Sequence, residues 1–154
     1  TVASGSAIDT TTAGAKIFSV VATDNADNKT EVPRTYYVRY SYSGILSPIN
    51  QDGSSVFKLG KVVPVKFQLK DSAGNYISTA VAKIYLSKIN NNVAGTEIEA
   101  ESQGEANTGN LFRYDSVDNQ YIFNLGTKNL SNGTWQIKIS LDDLSSKYVT
   151  ISLK

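Results

Sequence analysis

Two stretches of the chain follow one plan, and their likeness decides the fold. The first runs Gly14-Ala-Lys-Ile-Phe-Ser-Val-Val-Ala-Thr-Asp24, turns through Asn25-Ala-Asp-Asn28 and returns as Val32 to Tyr40. The second runs Gly133-Thr-Trp-Gln-Ile-Lys-Ile-Ser-Leu-Asp-Asp143, turns through Leu144-Ser-Ser146 and returns as Lys147 to Lys154. Each has a glycine-led corner, a strand, a polar turn and a closing strand. That succession is how an antiparallel β-sandwich ends: penultimate strand, hairpin, last strand. The chain therefore reads as one complete sandwich preceded by the last third of another.

Alternation elsewhere supports an all-β chain. In Val65-Lys-Phe-Gln-Leu-Lys70 the apolar residues Val65, Phe67 and Leu69 face one way, and Lys66, Gln68 and Lys70 the other. Period 2 with branched and aromatic residues marks a half-buried strand. The pattern recurs in Tyr121–Leu125, Trp135–Leu141 and Val149–Leu153. Each such strand offers one face to a core and one to water, as in stacked antiparallel sheets. The expected fold is an immunoglobulin-like antiparallel β-sandwich, preceded by the last strands of a second such domain. Residues 1–42 are assigned to that preceding unit and residues 43–154 to the complete one. Only Ala80–Ile89 also fits helical spacing; Ala82, Ile84 and Leu86 alternate equally well, and the segment is read as a strand.

Turn chemistry falls between the strands. Asp71-Ser-Ala-Gly-Asn75 combines an Asx-turn at Asp71 with a left-handed site at Gly74. Asp24-Asn-Ala-Asp-Asn28 is the same turn with Asp27 in the glycine's place, which Asp tolerates better than most residues. Asn90–Gly95 and Gln103–Asn110 are expected to be polar loops, and Ser41–Gly53 a short linker. Pro64, lacking a donor, is expected at a sheet edge or a kink.

Composition narrows the function. Fifteen basic and fourteen acidic side chains give a formal net charge of +1. Such balance supplies no long-range field for nucleic acid or an anionic membrane. No apolar run is long enough to span a bilayer, and no secretory signal is visible. The chain starts at Thr1 rather than Met, as expected of a processed product or a fragment. There is no Cys and no His. This excludes disulfides, Ser-His-Asp and Cys-His catalysis, and His- or Cys-based metal sites within the chain. No catalytic, cofactor-binding or metal-binding residue is assigned.

Several motifs resemble one family. Val63-Pro64-Val65-Lys66-Phe67, continued by Gln-Leu-Lys-Asp-Ser-Ala-Gly-Asn75, resembles the P-x-K-F module of secreted and cell-surface proteins of archaea and bacteria. Gly109-Asn-Leu-Phe-Arg-Tyr114, Gln120-Tyr-Ile-Phe-Asn-Leu125 and Leu130-Ser-Asn-Gly-Thr-Trp135 extend the resemblance across residues 56–154. Ile8 to Asp24 looks like the tail of a bacterial Ig-like repeat. The resemblance implies an extracellular location and a tandem arrangement at the C-terminus of a long chain. It carries no catalytic residues.

Three kinds of binding residue were weighed against plainer roles. Asp24, Asp27 and Asn28, or Asp71 and Asn75, could offer oxygens to calcium. Each turn supplies only two or three of the six to eight that calcium takes, so turn capping is the leading reading. Asp115, Asp118, Asp142 and Asp143 are placed in turns on the same grounds. Tyr37, Tyr85 and Tyr148 alternate outward and could stack on a glycan, whereas Trp135 at the corner belongs to the core. Asn28, Asn129 and Asn132 head N-glycosylation sequons no more frequent than composition predicts. Lys66 alternates outward, away from any intramolecular isopeptide partner.

The expectation is a noncatalytic structural module of an extracellular or cell-surface protein, serving as stalk, spacer or assembly unit of the surface-layer, adhesin or filament kind. The alternative is a carbohydrate-binding accessory module of a secreted hydrolase. Residues 1–42 are expected to provide three strands, with Phe18, Val20 and Ala22 on one face and Tyr36, Val38 and Tyr40 on a neighbouring one, and a sheet with such a face needs cover. Upstream strands, the second module or another copy could supply it. Self-association through residues 1–42, by swapping or strand addition, is therefore expected.

Overall fold

The computed structural model describes residues 5–104 and 107–154, and every described element is a strand. A long hairpin comes first, β1 (Gly14–Thr23) with β2 (Lys29–Val38), standing as its own two-stranded sheet. The remaining strands are β3 (Ser41–Ile45), β4 (Val56–Phe57), β5 (Val62–Lys70), β6 (Ala82–Asn90), β7 (Val93–Glu99), β8 (Arg113–Asp115), β9 (Gln120–Gly126), β10 (Gly133–Leu141) and β11 (Ser146–Leu153). They form two sheets, ordered β3-β5-β9-β8 and β4-β11-β10-β6-β7. This is the immunoglobulin arrangement, A-B-E-D against a G-F-C sheet, with β7 in the C′ place. All pairs are antiparallel except β4 with β11.

Alternation places the core between the sheets. Val63, Val65, Phe67 and Leu69 of β5 are buried, as are Ile84 and Leu86 of β6 and Ile137 and Ile139 of β10. Phe67 stacks on Tyr121 at 5.1 Å between centroids and meets Phe112 edge-on at 4.9 Å. The Tyr121 hydroxyl donates to the Ile77 carbonyl and accepts from the Ala80 N–H, so its polar tip is satisfied inside the core. Trp135 is 7 % exposed, and its Nε1–H donates to the Ser131 carbonyl at 2.9 Å. Ring inside and polar tip tied to upstream backbone is the logic of the corner tyrosine in these sandwiches.

The segment Ala82–Asn90 is a strand, because only period 2 puts Ala82, Ile84 and Leu86 together on the buried face. Pro64 sits where β5 pairs with β9 alone. On the other side β3 has already left the sheet, its last contact being Leu46 N–H to the Lys66 carbonyl.

Two expectations are corrected. Ser41–Gly53 is not simply a linker: Ser41–Ile45 is β3, paired with β5, and Ile45 and Ile49 are buried. The sandwich therefore takes up the chain at Ser41, two residues before the expected boundary. Nor is Asn90–Gly95 a loop. Asn91 and Asn92 both adopt positive φ (49° and 62°), the pair needed for a type I′ hairpin, and β7 follows directly on β6.

Candidate assembly surface and joint

The β1–β2 hairpin has the turn geometry of the β10–β11 hairpin on longer arms, and the second turn spans Leu141–Ser145 rather than the expected Leu144–Ser146. Gly14 and Gly133 open the first strand of each with φ of 114° and 123°. Gly14 pairs with Val38, and Gly133 with Leu153. Both turns close with the same two backbone bonds. Asp24 N–H donates to Asn28 C=O at 3.0 Å, and Leu141 N–H to Ser145 C=O at 2.9 Å. Asp27 N–H to Asp24 C=O and Leu144 N–H to Leu141 C=O are both 3.1 Å, with φ of 63° and 65° at Asp27 and Leu144. The Asp71–Asn75 turn is a third copy, with Gly74 at 86°.

What differs is the surroundings. In β10–β11 the apolar face packs on the opposite sheet, β6 pairs along the outer edge of β10, and β4 pairs with the end of β11. Among the described residues no strand pairs with either outer edge of the first hairpin. Its register places Phe18, Val20 and Ala22 on the same face as Val32, Tyr36 and Val38. These lie on one face rather than two neighbouring ones, with Lys16, Thr30 and Arg34 among them. Val20 is 53 % exposed, and on the opposite face Ile17 is 70 % exposed.

Part of that face is covered from within the chain. Tyr36 Oη donates to the Asp9 carbonyl, and Lys16 Nζ reaches both Asp9 Oδ2 at 2.9 Å and Thr12 Oγ1 at 2.6 Å. Residues 8–13 thus lie against the base of the hairpin, near the Phe18–Tyr36 pair. The Lys16 bond, with two from Thr11, holds the Asp9 carboxyl well below the ordinary carboxylate range. Val20, Ala22 and Val32, nearer the turn, stay exposed. Among the described residues before Ser41 there are two strands rather than three, since the third begins at Ser41 inside the sandwich.

Where the hairpin meets the sandwich, a buried carboxylate fixes the joint. Asp143 is 0 % exposed; its Oδ2 accepts the Tyr40 N–H at 2.9 Å and its Oδ1 the Ser145 N–H at 2.8 Å. Burial is the largest influence and opposes ionisation. The hydrogen bonds from Ser145 and Tyr40 and the nearby Arg39 charge outweigh it, leaving the carboxyl below its ordinary range. The neighbouring Asp142 Oδ2 accepts the Val81 N–H. Burial first, then the Asp142 charge, pushes the Tyr40 phenol up to about 12. Beside this joint a cleft of about 360 Å³ opens between Ile8, Ala13, Tyr36–Tyr40, Asp71, Ser72 and Ile77. Sequence reasoning treated Asp143 as one more turn residue. Its second hydrogen-bond partner, Tyr40, is 103 positions away.

The other candidate residues fall into place around these. Asp24 Oδ1 accepts the Ala26 and Asn28 N–H groups, and its Oδ2 the Asn28 side-chain amide. Asp71 does the same with Ala73 and Asn75. The Asn28 and Asn75 side-chain bonds are the main cause holding both carboxyls below the usual range. The oxygens that calcium would need are engaged in capping. Among the described residues no group of three or more acidic side chains gathers at one point. Asn28 and Asn129 engage their side-chain amides with Asp24 and Glu101.

Two of the three outward tyrosines do converge. Lys138 pairs with Tyr85 on one side and Tyr148 on the other, and Tyr85 with Glu99, giving one cross-strand row on the outer face of the five-stranded sheet. Lys138 Nζ lies 5.3 Å from the Tyr85 ring centroid and 2.9 Å from Glu97 Oε2, a bond that raises the lysine's pKa. Tyr148, 60 % exposed, borders a shallow hollow lined by Gln51, Asp52, Gln136 and Thr150. Tyr37 is on the hairpin, under Arg39, and belongs to neither.

No protein-family model matches the chain, and no curated protein sequence matches it. Solved structures similar to it include the Lin-41 filamin domain, at 12% identity over 75% of this chain and 91% of that one, with a TM-score of 0.40. The Dpr1 IG1 domain bound to DIP-eta IG1 is similar at 12% identity over 75% and 94%, with a TM-score of 0.34. The RIG-5 IG1 homodimer is similar at 14% identity over 72% and 96%, with a TM-score of 0.33. The fold assignment rests on the strand order and pairing of the chain itself.

Proposed function

We propose that this chain is a noncatalytic structural module of an extracellular or cell-surface protein, a stalk, spacer or assembly unit of the surface-layer, adhesin or filament kind. The observation that carries this reading is a finished sandwich joined, through Asp143, to a hairpin of similar design whose half nearer the turn is left uncovered by the described residues. The hairpin belongs to the end of a preceding Ig-like unit, and the P-x-K-F resemblance of residues 56–154 supports tandem modules on the outside of a cell. An unpaired strand edge beside exposed apolar side chains is a template for another chain. Residues 1–42 then serve as the self-association element.

Light scattering tests the reading on two chains, residues 1–154 and residues 39–154. The shorter one keeps Arg39, Tyr40 and every strand of the sandwich. The full chain should gain mass with concentration while the shorter one stays monomeric. If both are monomers at high concentration, the assembly role is lost and only the spacer remains. A second reading, glycan binding, is favoured by the Tyr85–Lys138–Tyr148 row beside the polar hollow, since exposed rings with polar neighbours suit sugars. Glycan-array binding abolished by Tyr148→Ala would support it; no binding by the unsubstituted chain would remove it.

A further inference from the structure

The two outer edges of the hairpin are not equivalent, and the difference follows from its register. Because the Asp24 N–H donates across to Asn28, and pairing continues without a bulge to Gly14–Val38, the even-numbered residues of β1 bond to β2. The N–H groups of Ala15, Ile17, Ser19, Val21 and Thr23 therefore point outward. On β2 the outward set is Lys29, Glu31, Pro33, Thr35 and Tyr37. Pro33 has no N–H to offer, and Lys29 and Glu31 charge the same edge. Proline and charge are the usual guards of a sheet edge against pairing. The β1 edge has neither guard: its only charged residue is Lys16, at the base.

We propose that β1 is a self-pairing edge: two copies of this chain join antiparallel along β1 about a two-fold axis at Val20, making one four-stranded sheet β2-β1-β1′-β2′. This rests on the self-association reading and specifies its partner, edge and register. The outward N–H groups lie on odd residues, so odd residues form the hydrogen-bonded pairs, Ile17 with Thr23′ and Ser19 with Val21′. Even residues form the closer, non-bonded pairs. With Val20 opposite Val20′, Phe18 faces the small Ala22′ and Lys16 faces Asp24′. Large meets small, and Lys16, which reaches Asp9 and Thr12 in the single chain, comes opposite the carboxylate that caps the partner's turn. Shifting the axis to Ser19 would set Lys16 opposite Ala22′ and lose that match. The paired sheet also makes one apolar surface of Val20 and Ala22 from both copies, which are exposed in the single chain. Two-fold pairing closes on itself, the commonest form of oligomer.

The chain has no cysteine, so single cysteines report on the register directly. Val20→Cys places two thiols at a non-hydrogen-bonded pair, with Cα atoms about 4.5 Å apart, within disulfide range. It should form a covalent dimer under mild oxidation, whereas Val32→Cys, on the same face but on the guarded strand, should not. Ser19→Pro removes an outward donor without touching the hairpin's own bonds and should weaken dimerisation about tenfold or more. Thr35→Pro, its counterpart on β2, should leave it unchanged. Dimers cross-linked through Val32→Cys but not Val20→Cys, or weakened by Thr35→Pro alone, would overturn the β1 assignment while leaving self-association standing. Mass that grows without limit would replace the closed pair by a head-to-tail array and overturn the two-fold axis. A monomer at every concentration would overturn both readings.

Discussion

Replacing Asp143 by Ala removes a buried carboxylate and leaves the N–H groups of Tyr40 and Ser145 without their acceptor. A buried polar group deprived of its partner costs about 1–3 kcal/mol, so two orphaned donors predict a loss of roughly 2–6 kcal/mol. For a chain of this size that is a drop in melting midpoint of roughly 10 °C. Asp143→Asn keeps one carbonyl oxygen and should cost less. The pH dependence separates charge from shape. A carboxyl whose pKa is lower folded than unfolded adds stability that is complete above the unfolded value and is lost as pH falls through the folded one. Asp143 is lowered from the ordinary 3.8. The wild-type advantage over Asp143→Asn should therefore be full at neutral pH and shrink as the solution is acidified below that value. Calorimetric melts across that range measure both effects. A midpoint for Asp143→Ala within a degree or two of wild type, or an advantage unaffected by acid, would refute the account of the joint.

Other substitutions test other parts. Trp135→Ala should cost roughly 3–5 kcal/mol as a lost core ring, and Trp135→Phe about 1 kcal/mol for the Ser131 hydrogen bond, both read by denaturant melts. Gly53→Ala combines a positive φ of 76° with a collision against the Thr150 side chain, so a loss of about 1–3 kcal/mol is expected by the same assay. Leu144 is exposed and holds φ at 65°, so Leu144→Gly should raise stability by up to about 1 kcal/mol despite glycine's entropy. Added or chelated calcium should leave the melting midpoint of the full chain unchanged, because Asp24 and Asp71 are engaged in their turns; a rise of many degrees would overturn that assignment.

The legible parts of the fold are those in which local chemistry and long-range packing agree. Val65, Phe67 and Leu69 alternate because they face a core, and the Asp24 and Asp71 turns cap themselves with residues two to four positions on. Strand β7 was invisible because all seven of its residues are exposed, so no alternation is imposed on it. Strand β3 was masked by an irregularity between Tyr42 and Ile45, where Gly44 takes a φ of 85°. The joint at Asp143 and the convergence of Tyr85 with Tyr148 arise from register and from contacts between distant segments. No window of sequence contains both partners of either. The glycine-led likeness of 14–38 to 133–153 was legible; the asymmetry of the two hairpin edges emerges only once the register is known.

Amide hydrogen exchange on the full chain, followed over a range of protein concentrations, tests the central claim most directly. The corresponding outward amides of β10, such as Gln136 and Lys138, face β6 inside a finished sheet and should be protected at every concentration. Those of Ile17, Ser19 and Val21 should exchange rapidly in dilute solution and become protected as concentration rises, while Glu31 and Thr35 on β2 stay fast. Fast exchange of the β1 amides at all concentrations would mean that this edge stays open and the chain does not assemble through it.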